Sequence, residues 1–504
     1  MRAFTEVHAL AFTPLTPIHI GCGEDFEPTS YVIDGNVLYQ FDPSRLSLTE
    51  ADRRALTAAV NRREDDAIRA VQSFFFSKRT ECKAISRLQV PVAAGVAEWY
   101  AKRVGQVAQR EAGGATVSNQ LEIERTAHHP YTGQPYLPGS SLKGSIRTAW
   151  LNHIDDKPAP QRNPQEKPTE RSSEVEAELL DGRFATDPFR LVKISDAHGE
   201  RVTARVLFAV DRDKQQRSRN GQRIEKNLFV RREVIAAAQF RALHGEIRFD
   251  LLPERDEPEK TPRKDKRIAG LEQLARACNQ FYLPRLRADL DLIRRRFADD
   301  TWVDGVKDLL DTLKSDFDGG RIMLLRVGRH SGAESVTLEK RRWFQIRGGK
   351  RRPTYWSRDA TTIWLAAERE NSLAELLPFG WLLVETDASR PNEALRGWCQ
   401  KQRSEAANDG RRPAGAGASR EEIVATEPKP VTVWNKAQLR FNRNNGTLTA
   451  KGPGNAEANA LAPRGEELLN GLPAEIRRKV REGQFVRVTA EVLDKELIAV
   501  RASE

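Results

Sequence analysis

Three stretches almost empty of apolar residues divide this chain. The first, "DDKPAPQRNPQEKPTERSSE" from Asp155, sets four prolines among charges. The second is "PERDEPEKTPRKDKR" from Pro253, and the third is "RSEAANDGRRPAGAGASREE" from Arg403. Segments this polar bury too little apolar surface to offset the entropy of ordering them, so they read as insertions or linkers. The 504 residues therefore separate into several globular blocks, as expected when a domain takes about 100 to 200 residues.

Between the breaks the pattern is mixed. "VHALAFTPLTPIHIG", "SYVID" and "VLYQFD" read as strands, with Asp34-Gly35-Asn36 as a hairpin turn between the last two. Helical spacing follows over about 43–77 and, more loosely, 94–109, before a strand in "NQLEIERTAHH". Strand-like sequence resumes with "FRLVKISDA", "RVTARVLFAV" and "GEIRFDLL", and a helical region spans about 268–314. "GGRIMLLRVGRHSG" then empties from a strand into a basic Gly-rich loop, and "LLPFGWLLVE" looks like a last core strand. Beyond the third break, "AQLRFNRNNGTLTAKG" turns at Asn445-Gly446 and "FVRVTAEVLDKELIAV" reverses near Asp494. These predict a small barrel or sandwich, with an OB-like fold as one option.

The composition narrows the function classes. No apolar run approaches the roughly 18 residues of a spanning helix, and "MRAFTEVHALAFTPLTPIHIG" lacks the layout of a signal peptide. A cytoplasmic protein with no membrane contact is expected. Cys22, Cys82, Cys278 and Cys399 form no close pair, so neither a disulfide framework nor a zinc module is expected, nor any other metal or cofactor. The formal charge of +11 favours a polyanion, since each phosphate neutralised releases condensed counterions. Solubility alone also accounts for such a charge, and both readings are open here.

One loop-to-helix segment and two glycine-bearing segments at strand ends carry the chemistry. In "PYLPGSSLKGSIRTAWLNHI", from Pro135, Ser140 or Ser141 is expected to cap a helix whose first amides face outward with the positive end of the dipole. A phosphate fits there. Lys143 and Arg147 share one face, Leu142, Ile146 and Ala149 another, and Gly144 predicts close approach of a backbone or of RNA. In "LLRVGRHSGAESVT" the glycines Gly328 and Gly332 accompany Arg326, Arg329, His330 and Ser331, without the Walker pattern. "PIHIGCGEDFEP" places His19 just before a glycine pair. A phosphate cradle and a plain glycine turn decorated with arginines are both open for these loops. Metal-independent RNA cleavage would draw its acid and base from His19, His128, His129 and His330. The competing reading has these histidines stacking on bases or bonding to backbone.

Read in order, these elements resemble the RAMP proteins, RNA-binding subunits of CRISPR effector complexes. "LTPIHIGCGEDFEPTSYVIDGNVLYQFD" is similar to their amino-terminal hairpin, and "YLPGSSLKGSIRTAW" to their recurrent hPGSSLKGxhR segment, where h is apolar. "DPFRLVKISDA", "LLRVGRHSG" and "LLPFGW" resemble the later strand, Gly-rich loop and closing strand, although "VGRHSGAES" departs from the more Gly-rich form. The set covers about residues 1–390 and looks most like the fifth Csm subunit of type III complexes. The resemblance implies an α+β fold of two ferredoxin-like (RRM-type) modules with polar insertions. The expected layout is a first module over 1–154, a polar insertion over 155–186, and a second module with a helical insert over 187–400. A flexible linker (401–425) and a small, mostly-β module (426–504) complete it.

The implied role is non-catalytic: capping the complex at the 3′ part of the guide RNA (crRNA), close to target RNA and other RAMP subunits, and supporting guide maturation by trimming nucleases. Ser140, Ser141, Lys143 and Arg147 are carried over as guide contacts, with Arg329 and His330 from the Gly-rich loop. His19 and Arg326 join them as RNA-binding candidates. The alternative is a RAMP-type endoribonuclease that processes or cleaves RNA, and a third reading makes the carboxy-terminal module a protein-docking unit.

Overall fold

The computed structural model describes residues 4–62, 64–105, 109–110, 116–117, 121–168, 171–180, 184–219, 222–224, 228–251, 262, 266–297, 300–347, 353–408, 432–442, 447–460, 464–493 and 496–502. The chain forms two compact units, Met1–Ala416 and Gly417–Glu504.

The larger unit is a mixed α/β structure built on two sheets. The first runs in the order Ile322–Arg326, Trp381–Glu385, Thr5–Pro14, Leu243–Asp250, Val192–Ile194. All its neighbours are antiparallel, with Phe12 opposite Leu243 and Val384. Trp381–Glu385 is buried at every residue of "WLLVE", as is the edge strand Ile322–Arg326, whereas Leu243–Asp250 alternates buried and exposed positions. The helices Gly139–Ile154 and Leu271–Phe297 pack on one another and on this sheet, with Trp150, Phe281, Tyr282 and Trp381 in the shared core. A buried amide ties helix to sheet: Asn279 Nδ2 donates to the carbonyls of Phe317 and Ile322 (3.0 and 2.8 Å), and its Oδ1 accepts from the Leu324 amide at 2.8 Å. That satisfies an otherwise costly polar group.

The second sheet runs Leu377–Pro378, Thr362–Ala367, Ala204–Asp213, Leu228–Ile235, Ile123–Thr126, Gly21–Phe26. Both sheets therefore take strands from either side of the polar stretch at Asp155, so sheet membership does not follow the order of the chain. "LLPFGW" shows how the chain crosses over. Leu377–Pro378 closes the edge of the second sheet, and after Gly380, at φ +91°, Trp381 enters the first. A third, small sheet contains the expected hairpin, Asp34 pairing with Val37 around Gly35 at φ +58°. Helices Glu50–Val60 and Glu64–Ser77 enclose a side core with it, around Val32, Phe41 and Phe75. The polar stretch is anchored at its first residue. Asp155, 3% exposed, accepts from Arg341 Nε and one terminal nitrogen, both at 3.0 Å. The segment expected as a second insertion, from Pro253, lies almost wholly outside the described residues, as does most of the third break.

The smaller unit is a closed barrel in the order Thr432–Asn442, Thr447–Lys451, Glu457–Ala460, Glu496–Ala502, Val486–Leu493. Glu457–Ala460 and Glu496–Ala502 run parallel, and two short helices, Arg464–Asn470 and Ala474–Arg481, connect Glu457–Ala460 to Val486–Leu493. That order and helix position are the OB arrangement. Inward positions alternate along each strand, with Leu439, Leu448, Val488 and several alanines fully buried. Among the described residues, no helix is long and apolar enough to cross a membrane.

Candidate functional site

The helix in the "PGSSLKGSIR" segment begins at Gly139, two residues earlier than a Ser140 cap and three earlier than a Ser141 cap would set it. Pro138 occupies the cap position without a side-chain bond. The Gly139 amide instead donates to Asp196 Oδ1 at 2.7 Å, so a carboxylate from a distant loop does the work expected of Ser140 or Ser141. The reason for glycine here is close approach: a Cβ at Gly139 would lie 2.3 Å from the Ile194 carbonyl oxygen. Ser140 is exposed and Ser141 half-buried. The close approach expected at Gly144 is not made within the chain. That residue is exposed, and a Cβ there would meet nothing within 4 Å.

The two cations of this helix are held by the protein. Lys143 Nζ donates to the carbonyls of Phe189 and Val192 at 2.7 and 2.8 Å, and burial, with Lys193 nearby, pulls its pKa down. Arg147 pairs with Glu176 and with Asp187 (2.8 Å) and lies over the Phe189 ring. In this arrangement both fasten the Val192–Ile194 strand and the Ser172–Leu179 helix to the segment. Arg326 is likewise internal. It donates to the Phe379 carbonyl (3.0 Å) and Ser335 Oγ (3.2 Å), pairs with Asp289 at 3.0 Å, and covers the Trp381 ring.

The remaining candidates come together. The loop after Ile322–Arg326 folds onto the end of the Thr5–Pro14 segment, with the Arg329 amide donating to the His19 carbonyl at 2.8 Å. Gly328 permits this, since at φ +83° its Cβ would stand 2.3 Å from that same oxygen. Glu124, on the Ile123–Thr126 strand, then accepts from Arg232 at 2.5 Å and from Arg329 at 2.7 Å, and its Oε2 lies 3.7 Å from His19 Nε2. His330 takes the left-handed conformation at φ +66°. Its ring centroid lies 4.5 Å from that of Trp364, and its Nε2 accepts from Arg232 Nε at 3.3 Å.

The electrostatics of this cluster follow from its burial. His19 is fully buried and its Nδ1 bonds to the Glu233 carbonyl at 2.7 Å, which makes Nδ1 the protonated nitrogen and leaves Nε2 a lone pair facing Glu124. Burial, reinforced by Arg232, lowers its pKa to about 4. Burial and then Arg232 bring His330 to about 3. Both rings are neutral at neutral pH. Glu233, fully buried, is pushed up to about 7 by burial against the pull of Arg125. His128 faces Glu24 at 3.4 Å, and His129 lies beside Tyr131. Among the described residues no group of three or more His, Cys, Asp or Glu is placed to hold a metal ion.

Glu124, Arg232 and Trp364 were not singled out by sequence reasoning. The available signal is a charge in mid-strand, in "LEIERT" and in "LFVRREVI"; Glu124 and Arg232 are direct partners in a parallel pairing that spans distant parts of the chain. Of the four predicted cations, Arg329 alone is mostly exposed, at 56% of its side chain.

The RAMP superfamily model matches residues 11–320, and the chain belongs to that superfamily. Two solved structures are similar to it at 15% identity and a TM-score of 0.44. One is a chain of a Csm–crRNA–target RNA ternary complex of a type III-A CRISPR-Cas system, covering 75% of this chain and 100% of that one. The other is Csm5 of T. onnurineus, covering 74% and 99%. No match was found among curated proteins.

Proposed function

We propose that the chain is a non-catalytic RNA-binding subunit of a type III CRISPR effector complex, of the fifth Csm kind, which caps the assembly at the 3′ part of the guide RNA and supports guide maturation. Superfamily membership and the run of motifs from His19 to Trp381 support the class. The observation that carries RNA contact is the glycine loop itself: its backbone is fixed by the Arg329 amide, and it presents a mostly exposed Arg329 side chain paired with Glu124; the exposed Ser140 and open Gly144 are further contact candidates. A guanidinium so held meets a phosphate with little ordering cost. The first sheet fits a ferredoxin-like module: its βαββαβ chain takes the order 4-1-3-2, with Trp381–Glu385 inserted between the fourth strand and the first.

On this reading the protein acts in the cytoplasm with guide RNA, target RNA nearby, sister RAMP subunits and trimming nucleases. The buried, neutral His19 and His330 support structural roles, in preference to the endoribonuclease alternative. The test is to purify the tagged protein from its host and sequence the RNA and protein that accompany it. Guide RNAs of graded 3′ length together with other RAMP subunits are expected; a protein that arrives without short RNA refutes the reading. Incubation with repeat RNA, with and without divalent metal, tests the alternative, which requires cleavage that His19→Ala or His330→Ala abolishes.

A further inference from the structure

We infer that the carboxy-terminal barrel carries its own binding face for single-stranded RNA, centred on Phe485. This site lies outside the matched part of the superfamily and does not rest on the guide-binding reading of the larger unit.

The argument starts from an apolar ring in the wrong place. Phe485 is 80% exposed, the step before strand Val486–Leu493, while the barrel interior is already filled by Leu439, Leu448 and Val488. The strand pairing says what surrounds it. Leu439 pairs with Val486, so one step further along the antiparallel register sets Arg440 beside Phe485. Gln438 pairs with Arg487 on one side and with Lys451 on the other. Because Leu439 and Val488 point inward, the alternation turns Arg440, Gln438 and Arg487 outward, and all of them are exposed together with Lys451. Among the described residues, none of these three cations is engaged in an ion pair.

The result is one exposed aromatic ring flanked by three unneutralised cations on adjacent strands of an OB barrel. Cross-strand neighbours stand about 4.8 Å apart, and residues two apart on a strand about 6.7 Å. A phenyl ring at this spacing from guanidinium groups suits a base stacked on its face with its flanking phosphates on the cations, the recognition mode of single-stranded nucleic acid. A duplex does not fit, since its bases are stacked internally and present no free face to Phe485. An acidic peptide would satisfy the cations but would leave the ring without a specific partner.

The experiment uses the full chain and a fluorescein-labelled oligouridine of about twelve nucleotides, within the span one OB barrel covers, carrying 4-thiouridine for photo-crosslinking. Crosslinks are expected on the peptide containing Phe485. Phe485→Ala should abolish them and weaken binding at this face by about 5- to 150-fold, the equivalent of one lost stacking interaction. Arg440→Ala with Arg487→Ala should flatten the salt dependence by about 1.4 units, at about 0.7 for each lost phosphate contact on a single strand. The same crosslink must survive Arg329→Ala, which separates this face from the larger unit. Because Phe485 and both arginines are exposed, thermal melts of the variants should match the parent. Crosslinks confined to residues 1–416, with Phe485→Ala binding as the parent does, would overturn the inference. So would loss of a co-purifying protein from Phe485→Ala with no RNA crosslink in the barrel, which would make the face a protein-docking surface.

Discussion

Arg326 ends the strand Ile322–Arg326 and Arg329 stands three residues on, in the loop that follows; removing each should have opposite consequences. Arg329 is more than half exposed, and its partner Glu124 is 35% exposed and keeps Arg232 at 2.5 Å. Its ion pair is therefore of the surface kind, worth at most about 1 kcal/mol, and Arg329→Ala should leave the thermal midpoint nearly unchanged. The Arg326–Asp289 pair is 4% and 13% exposed, and Arg326→Ala strands the Asp289 carboxylate in the core. Breaking a pair of that kind costs about 3–5 kcal/mol, a large part of a typical domain's stability. If Arg329 meets one phosphate, its loss should lower the slope of log affinity against log salt by about 0.7 for single-stranded RNA. The assay is fluorescence anisotropy of the full chain with a guide-like RNA at several salt concentrations, with thermal melts in parallel. An unchanged slope in Arg329→Ala, with the fold intact, would refute the phosphate contact. A slope change in Arg326→Ala without a fall in stability would refute the division of roles between the two arginines.

Three further outcomes are expected. Gly139→Ala brings a Cβ to 2.3 Å from the Ile194 carbonyl, and should cost about 1–3 kcal/mol in chemical denaturation, as overpacked sites do; a stability equal to the parent's would show that the helix start is free to move. Because the His330 pKa falls from 6.5 to about 3 on folding, the unfolded state binds the extra proton. Its share of stability is thus complete above about pH 6.5 and is lost as pH falls from there toward 3. At pH 5 the loss is about 2 kcal/mol. His330→Gln should then show that much less destabilisation between pH 7 and pH 5 in urea titrations, and an identical pH dependence would contradict the assignment. In the barrel, a Cβ at Gly452 would stand 2.3 Å from the Trp434 ring, so Gly452→Ala should speed hydrogen exchange in residues 432–502, with no such change in the larger unit.

The local chemistry was written in short-range pattern. Alternation marked the strands, Asp34-Gly35-Asn36 marked a hairpin, and the apolar "LLPFGWLLVE" marked a core strand, because each of these depends on neighbours a few residues apart. The barrel's two hairpins were legible for the same reason. Its closure was not, since the parallel pair of Asn459 with Glu496 depends on two segments meeting across the intervening helices. The same limit explains the site. From sequence, Lys143 and Arg147 look like the free cations of a helix start, and nothing nearby announces the Phe189 carbonyl, Glu176 or Asp187 that hold them. The cap fell to Asp196 and not to a serine because the close approach of the Ile194–Ser195 backbone fixed where the helix could begin. Glu124, Arg232 and His330 became a cluster only when the second sheet set two distant strands side by side. The sequence by itself determined which segments form strands, helices and loops, and which residue types they carry. The tertiary structure alone decided which charged pairs are buried and which, like Arg329 with Glu124, stay largely exposed, because pairing between distant segments is set by the packing of the sheets and not by spacing along the chain.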